Sequence, residues 1–236
     1  MEKHAVILAG GKGKRLRPYT VVLPKPLMPI GEYPILEVIV RQLSAQGFTH
    51  ITMAVNHQAE LIKAFFGDGQ KWGVSIRYSL EDQPLGTMGP LKLIDVLPEN
   101  FLVMNGDILT DLKYGEFFDD HVAEQNIFTI SSHKREEMID YGVLDTDEGI
   151  LTGFREKPKT SYEVSMGIYM LNKKVVAKIP DNTPYGFDHL MLALLAEKEK
   201  VAVKAFTGLW LDIGRPDDYL QAIETFDELK DKFLYV

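Results

Sequence analysis

The sequence predicts an α/β fold with a mostly parallel sheet, because short β-rich segments alternate with helical segments along the first half of the chain. The segments predicted as buried strands are AVILA at Ala5, ITMAV at Ile51, VSIRY at Val74, FLVMN at Phe101 and IFTIS at Ile127. Right-handed crossovers between such strands place helices on both faces of the sheet. We therefore expect a Rossmann-like fold whose ligand lies beyond the carboxyl ends of the strands.

Three segments between these strands have helical patterns. PILEVIVRQLSAQGF has apolar residues at helical spacing, with Pro34 near its start and Gly47 as its stop signal. QAELIKAFFGDG and GPLKLIDVLPEN are predicted to repeat this pattern. These helices would connect successive parallel strands.

The pattern changes after about residue 130. GVLDTDEGILTGFREKP and YEVSMGIYMLN indicate shorter strands separated by turns, and HLMLALLAEKEK and PDDYLQAIETFDELKDKF indicate two further helices. Residues 1–236 are expected to form one domain, with a first part over about 1–130 and a smaller continuous part over about 131–236.

Composition excludes several classes of protein. The chain has no cysteine, which excludes disulfides and cysteine-ligated metal centres. A formal net charge of −8 argues against a general nucleic-acid binder, so the basic residues near the start predict a small anionic ligand. The start MEKHAVILAGG lacks the pattern of a signal peptide, and no apolar run reaches the ~20 residues of a membrane helix. A cytoplasmic protein without a membrane partner is expected.

The segment ILAGGKGKRLRPYT, which follows the first strand, predicts a phosphate-binding turn. The dinucleotide pattern G-x-G-x-x-G fails, because Leu16 stands where its third glycine belongs. The P-loop pattern fails as well, because Leu8 stands at its first glycine and Arg15 at its Ser or Thr. A glycine-rich turn remains, whose backbone N–H groups can approach phosphate oxygens and to which Arg15 adds a guanidinium fork.

A second cation, Lys25, follows in the segment PKPLMPI. Pro24 and Pro26 restrict the backbone on both sides of this lysine, which aims its ammonium group. Lys25 near Arg15 would concentrate positive charge over a polyphosphate.

LAGGKGKRLRPYT followed by PKPLMPI resembles the signature of the sugar-1-phosphate nucleotidyltransferases, also called nucleotide-sugar pyrophosphorylases. The resemblance continues in order through QPLGTMGPL, NGDIL, FREKP, SMGIY and GLWLDIG, along nearly the whole chain. Within the family it is most similar to mannose-1-phosphate guanylyltransferase-like enzymes without a C-terminal β-helix, since no hexapeptide repeat follows the last predicted helix. The first part of the chain would then bind the nucleotide, and the second part the sugar phosphate.

This resemblance implies a set of site residues. The nucleotide-binding positions are Leu8, Ala9, Gly10, Gly11, Gly13, Gln83, Gly86 and Thr87. The catalytic cations are Arg15 and Lys25, and the Mg²⁺ ligands are Asp107 and Asp212. The residues that match sugar-phosphate contacts are Gly142, Glu156, Lys157 and Ser165.

The reaction implied joins a nucleoside triphosphate to a sugar 1-phosphate, giving an NDP-sugar and pyrophosphate. A sugar phosphate is already anionic and needs no general base, in keeping with the absence of a Ser/His/Asp or HExxH pattern. PLGTMGPL resembles the loop of guanylyltransferases that act on mannose 1-phosphate, heptose 1-phosphate or similar sugars, which favours GTP. Because the amide of Gln83 pairs equally well with thymine or uracil, a thymidylyl- or uridylyltransferase acting on glucose 1-phosphate or an amino sugar 1-phosphate stays open.

Two other functions and two simpler structural roles are alternatives for these residues. A glycosyltransferase would need an Asp-x-Asp metal motif, whereas Asp107 and Asp111 are four residues apart. A non-catalytic regulatory subunit that binds nucleotide-sugar is the second rival. Asp107 also suits an ordinary turn, and Asp212 also suits a cap of the helix that follows.

Two segments depart from the usual family pattern, which leaves the sugar open. Lys14 replaces a Thr or Ser, and Ser165-Met166-Gly167 replaces Asn-Ala-Gly. A homo-oligomer is compatible with the sequence, which does not fix the oligomeric state.

Overall fold

The computed structural model describes residues 2–11, 13–56 and 58–234. Its strands are β1 (Lys3–Leu8), β2 (Pro29–Ile30), β3 (Tyr33–Pro34), β4 (Phe48–Val55), β5 (Ser75–Leu80), β6 (Asn100–Asn105), β7 (Ile108–Thr110), β8 (Phe128–Met138), β9 (Gly142–Asp147), β10 (Ile150–Glu156), β11 (Lys159–Asn172), β12 (Val201–Phe206) and β13 (Trp210–Asp212). Its α-helices are α1 (Ile35–Ala45), α2 (Ala59–Phe66), α3 (Tyr114–Ala123), α4 (Phe187–Ala196) and α5 (Pro216–Leu234). Each segment predicted as a buried strand has at least four of its five residues in a strand.

A seven-stranded sheet with the order β12-β8-β11-β6-β1-β4-β5 forms the centre of the molecule. Its neighbouring strands are parallel except at β11, which is antiparallel to both β6 and β8. Strand β1 is fully buried at Ala5, Val6 and Ile7, as expected of a parallel strand covered on both faces. The mostly parallel α/β sheet predicted from the sequence is confirmed.

Helices cover both faces of this sheet. Ala5 and Ile7 point to one face, where they belong to a core that includes residues of α1, α2, α3 and α5. Val6 points to the other face, where it joins Leu190 and Leu194 of α4. Helix α1 begins directly after Pro34 and ends before Gly47, as predicted. No helix of the described residues is both long and apolar enough to cross a membrane.

The segment GPLKLIDVLPEN differs from its prediction. It forms a 3₁₀ helix over Gly89–Leu93 and no α-helix. Pro90 has no N–H group, and the N–H groups of Met88 and Gly89 both donate to the carbonyl oxygen of Tyr185 at 3.0 Å. Local pattern favoured a helix, but these tertiary hydrogen bonds fix a different backbone path.

The second part of the chain contains longer strands than the sequence indicated. Strand β8 has 11 residues and β11 has 14, and their outer halves pair only with each other before the chain turns into the β9–β10 hairpin. We call residues 134–164 the arm. Its apolar side chains are exposed, with Tyr141 at 78% and Ile150 at 70%. Residue 130 lies within β8, so the sheet continues across the expected division of the chain.

Candidate active site

The candidate site lies at the carboxyl edge of the parallel strands. Strands β1 and β6 end side by side, with Leu8 paired to Asn105. The N–H of Gly106 donates to the carbonyl oxygen of Leu8 at 2.9 Å, which holds the two exits together. The glycine turn and the Asn-Gly-Asp segment therefore leave the sheet at the same point, as the sequence predicted.

The backbone of the glycine turn is held by contacts on both sides. Ala9 donates its N–H to the carbonyl oxygen of Ala54 at 2.8 Å. Gly13 adopts a left-handed φ of 55°, and its carbonyl oxygen accepts a hydrogen bond from the buried hydroxyl of Thr20 at 2.7 Å. A side chain at Gly13 would touch Thr20 and Lys25, whereas one at Gly11 would meet open space. This turn keeps its backbone accessible to a ligand.

The backbone of Arg15 is held beside the glycine turn because the next residue, Leu16, is buried. It belongs to a 3₁₀ turn over Lys14–Leu16, in which Leu16 is buried and Arg15 is exposed. The base of Arg15 borders a groove of about 620 Å³ that is lined by apolar residues of α5, including Leu220 and Ile223. The guanidinium is therefore free to approach an anion while its backbone is anchored.

Lys25, Asp107 and Asp212 converge next to the glycine turn. Lys25 Nζ forms an ion pair with Asp107 Oδ2, and both side chains are largely buried. The N–H of Ile213 donates to the carbonyl oxygen of Asp107 at 2.9 Å. Strand β13 pairs with β7 so that Asp212 lies opposite Ile108. Residues more than 100 positions apart in the sequence are thus brought to one point.

The carboxylates of Asp107 and Asp212 offer oxygen atoms of the kind that a divalent cation binds. Asp212 Oδ1 accepts a hydrogen bond from the N–H of Gly214 at 2.9 Å, which orients the carboxylate. The ammonium of Lys25 already lies against Asp107 and beside Gly214, so this position accepts positive charge. Hard oxygen donors are the ligands that Mg²⁺ prefers. The described residues contain no group of three or more His, Cys, Asp or Glu side chains able to hold a metal, so such an ion would need further oxygen ligands.

The protonation of Lys25 is perturbed by its surroundings. Burial lowers the pKa of Lys25 to about 8, with Arg15 adding to this effect as a like charge and Asp212 opposing it. A lysine that titrates near neutrality at a cluster of charged groups is typical of a functional site.

The loop predicted to contact the base is docked against the segment before α4. Gly86 has a φ of 80°, and a side chain there would lie 2.8 Å from the carbonyl oxygen of Tyr185. The hydroxyl of Thr87 accepts the N–H of Phe187 at 2.8 Å, so it is engaged in holding this segment. Gln83 is exposed and open to a ligand.

Glu81 connects the base loop to the glycine turn. Its Oε2 accepts the N–H of Leu85 at 3.1 Å, and its Oε1 lies beside Gly10, where a side chain would touch it. Burial raises the pKa of Glu81, and the hydrogen bond from Leu85 opposes that shift. The buried carboxylate of Glu81 therefore lies between the two loops that the sequence assigned to the nucleotide and contacts both of them.

The residues predicted to contact the sugar phosphate lie on or next to the arm. Gly142 pairs with Glu156 across the hairpin, and the ring of Phe154 covers the position where a Gly142 side chain would stand. Lys157 has a left-handed φ of 44°, and its ammonium pairs with the exposed Asp140 at 2.7 Å. Such backbone strain in a residue other than glycine is found at functional sites more than elsewhere.

Ser165 lies closer to the sheet, at the base of the arm. Its hydroxyl donates to the hydroxyl of Tyr169 at 3.0 Å and accepts the N–H of Gly167 at 3.3 Å. The β8–β11 register shifts between Ser165 and Tyr169, and the backbone of Gly167 there passes close to Asn105. Ser165 therefore contributes to the shape of an irregular strand near the end of β6.

Comparison with known sequences decides the family. The sequence profile described as nucleotidyl transferase matches residues 4–228, almost the whole chain. The chain belongs to the nucleotidyl transferase family. A mannose-1-phosphate guanyltransferase of Candida albicans is 36% identical to this nucleotidyl transferase over 225 residues, which cover 91% of the chain and 62% of the relative. The chain thus spans less than two thirds of the length of that relative.

Solved structures agree with the architecture. HddC from Yersinia pseudotuberculosis, solved in complex with GMP-PN, superimposes on this nucleotidyl transferase with a TM-score of 0.71 and 28% identity, covering 95% of this chain and 99% of HddC. A Bacillus anthracis protein provisionally assigned as a glucose-1-phosphate thymidylyltransferase superimposes with a TM-score of 0.77 at 24% identity, covering 95% and 94% of the two chains. The second similarity shows the fold alone.

Sequence patterns did not reveal every residue that shapes this nucleotidyl transferase site. Thr20 is not among the predicted site residues, yet its hydroxyl fixes the glycine turn. Asp218 has the same side chain as its neighbour Asp217, yet it is buried and bonds to the backbone of Asp212. Arg135 carried no motif and proves to be its partner. Only a high proportion of charged residues near Asp212 could have drawn attention to this pair.

Proposed function

We propose that this protein transfers a nucleoside monophosphate from a nucleoside triphosphate, with GTP preferred, to the phosphate of a sugar 1-phosphate such as mannose or heptose 1-phosphate. The products are an NDP-sugar and pyrophosphate. The observation that carries the proposal is the meeting of Lys25, Asp107 and Asp212 beside an open glycine turn. Family membership and the name of the Candida albicans relative support this reaction class.

The proposed reaction needs alignment and charge stabilisation more than proton transfer. An oxygen of the sugar phosphate attacks the α-phosphorus, a new P–O bond forms, and the bond from the α-phosphorus to the bridging oxygen of pyrophosphate breaks. Backbone N–H groups of the glycine turn orient the triphosphate. Arg15 and Lys25 stabilise the negative charge that collects on the leaving pyrophosphate.

Asp107 and Asp212 are the residues that would hold Mg²⁺, since their carboxylates are hard oxygen donors and the hydrogen bond from Ile213 N–H to the carbonyl oxygen of Asp107 brings their segments together. When bound, the ion neutralises charge on phosphate oxygens and aligns them. The remaining ligands would come from the triphosphate, because the described residues hold no group of three or more His, Cys, Asp or Glu side chains that could bind a metal here.

The sugar phosphate is assigned to the arm side of the site. We propose that Lys157 holds the attacking phosphate, that Glu156 accepts hydrogen bonds from sugar hydroxyls, and that Gly142 faces the ring. Lys157 would exchange its exposed pairing with Asp140 for the substrate phosphate, which is a small cost because an exposed ion pair contributes about 0–1 kcal/mol. Ser165 would act nearer the sheet.

The preference for guanine rests on the loop around Gln83. Its exposed amide can donate to O6 and accept from N1–H of guanine, while the guanine 2-amino group needs a further acceptor. Glu81 provides carboxylate oxygens between this loop and the glycine turn, and HddC, solved with the guanine nucleotide GMP-PN, has the same architecture. Thymine or uracil would leave this acceptor without a donor.

The test is a matrix of GTP, ITP, dTTP, UTP and ATP against mannose, heptose, glucose and glucosamine 1-phosphates, scored by pyrophosphate release. We expect GTP to exceed ITP by about tenfold or more, because an unpaired buried acceptor costs roughly 1–3 kcal/mol. Asp107→Asn provides the control for background hydrolysis. If dTTP or UTP is the best substrate, the guanine assignment is wrong, and if no pair releases pyrophosphate, the transferase proposal is wrong.

A further inference from the structure

A buried ion pair connects the arm to the start of α5. Arg135 of β8 donates from its two terminal nitrogens to both carboxylate oxygens of Asp218, at 2.7 and 3.1 Å. The side chain of Asp218 is only 7% exposed and that of Arg135 26%. Two-fold pairing of this kind fixes direction as well as distance. The pair therefore defines where Asp218 can stand.

Asp218 in turn holds the backbone of Asp212. Its Oδ2, the oxygen that accepts one hydrogen bond from Arg135, also accepts the N–H of Asp212 at 2.9 Å. On the other side of Asp212, the N–H of Ile213 donates to the carbonyl oxygen of Asp107. The carboxylate of Asp212 is itself oriented by Gly214. The peptide that presents Asp212 is thus fixed on each side.

Stabilisation of α5 does not account for this arrangement. Asp217 occupies the same first turn and is exposed, so it already places a negative charge at the helix N-terminus. Asp218 instead points inward to Arg135, whose guanidinium lies 5.6 Å from the ring centroid of Trp210. Trp210 donates its Nε1–H to the carbonyl oxygen of Met166 at 3.0 Å, next to the bend of β11. The contacts run from the base of the arm to Asp212.

We infer that Arg135 and Asp218 are positioning residues that fix the carboxylate of Asp212 for the Mg²⁺–triphosphate complex. Through Trp210 they also connect that carboxylate to β11, the strand on the proposed sugar-binding side. This inference rests on the proposed function, because it takes Asp212 as a metal ligand. The inference assigns neither residue a direct contact with the substrate. Residues that orient metal ligands typically change metal affinity 10- to 100-fold when they are replaced.

The experiment compares Asp218→Asn and Arg135→Gln with Asp217→Asn. Asp217→Asn is a matched control, since it removes the same charge from the same helical turn without touching Arg135 or Asp212. Binding of Mn²⁺ is measured by electron paramagnetic resonance in the presence of the α,β-methylene analogue of the best triphosphate, which cannot release pyrophosphate. We expect Mn²⁺ affinity to fall by about tenfold in the first two variants and to stay at the wild-type value in the control.

The Mg²⁺ dependence of turnover is a second measurement, and a merely structural role of the two residues would not change it. Raising the Mg²⁺ concentration should restore much of the kcat of Arg135→Gln, while the KM for the sugar 1-phosphate changes little. Circular dichroism melting identifies a variant that does not fold, and Arg135→Gln, at the more exposed partner, keeps the test decisive if Asp218→Asn unfolds.

Wild-type Mn²⁺ affinity in folded Arg135→Gln would overturn the inference and leave the proposed function standing. An equal loss in Asp217→Asn would overturn it too, because the effect would then be one of helix charge. If the wild-type protein releases no pyrophosphate and binds no Mn²⁺ with the nucleotide, the proposed function fails and this inference fails with it.

Discussion

The protonation of Lys25 predicts how the proposed reaction depends on pH. Burial lowers the pKa of this lysine from 10.5 to about 8 in the protein without nucleotide, and Arg15 contributes as a like charge. The stabilisation of leaving pyrophosphate requires the ammonium form. Because kcat/KM reports groups of the free enzyme, kcat/KM for the triphosphate should decline on the alkaline side of this pKa.

The size of the decline follows from the pKa. About nine tenths of a group with a pKa near 8 is protonated at pH 7 and about one tenth at pH 9, so kcat/KM should fall roughly tenfold between them. An unperturbed lysine would lose almost nothing over this range. The ion pair with Asp107 favours the ammonium, which places the decline at pH 8 or above and not below. A bound triphosphate raises the pKa further, so kcat should stay level where kcat/KM already falls.

The assay is pyrophosphate release at saturating sugar 1-phosphate, from pH 6.5 to 10, for the wild type and three variants. Lys25→Arg should lose the alkaline decline, because a guanidinium stays charged throughout. Lys14→Arg is the matched control at an exposed lysine and should keep it. Arg15→Gln removes the like charge and should move the decline to higher pH in its residual activity. If Lys25→Arg declines at the same pH as the wild type, another group titrates and the reasoning about Lys25 is refuted.

Three further predictions concern the remaining parts of the site. Asp107→Asn and Asp212→Asn should each lower kcat by orders of magnitude with an unchanged circular dichroism spectrum, and near-normal turnover in either would remove that residue from the metal site. Arg15→Lys should lower kcat while the KM for the sugar 1-phosphate stays constant, since an ammonium cannot reproduce the guanidinium fork; an unchanged kcat would place Arg15 outside the reaction centre. Gly86→Ala should lower the free energy of unfolding by roughly 1–3 kcal/mol in urea titrations, because Gly86 has a φ of 80° and lies close to the Tyr185 carbonyl. Gly11→Ala is the control and should leave the free energy of unfolding unchanged, because a side chain there meets open space. Equal stability of the two variants would contradict this prediction.

Predictions from local sequence succeeded where a single segment determines its own structure. Strand β1 carries its apolar run within a few residues, and helix α1 carries its apolar spacing, its proline start and its glycine stop in the same way, so both elements were predicted. The segment after Met88 was predicted wrongly, and its start is fixed by hydrogen bonds to the carbonyl oxygen of Tyr185, about 100 residues away, which local pattern does not show. The three-residue strands β7 and β13 were missed for the same reason, since their pairing is long-range.

The site shows the same division between local and long-range information. The glycine turn and Lys25 each follow from short motifs, and the resemblance to a family supplied Asp107 and Asp212. Nothing local distinguishes Asp218 from Asp217, because the two are neighbours with the same side chain. Their difference arises only when Arg135, 83 residues earlier, meets one of them. A positioning pair of this kind becomes visible only in the folded protein.

The two sides of the site differ in how their residues are held, and this difference bears on specificity. On the nucleotide side the supports are buried: Thr20 fixes the glycine turn, and Glu81 fixes the base loop. A substitution there disturbs packing as well as binding.

On the sugar side, Lys157 and its partner Asp140 are 52% and 70% exposed, on an arm whose outer strands pair only with each other. Substitutions on the arm therefore change few core contacts, so the proposed sugar preference can shift at little cost in stability while the proposed base preference cannot. If the proposed site is right, we therefore expect the arm sequence to fix the sugar less firmly than the loops fix the nucleotide.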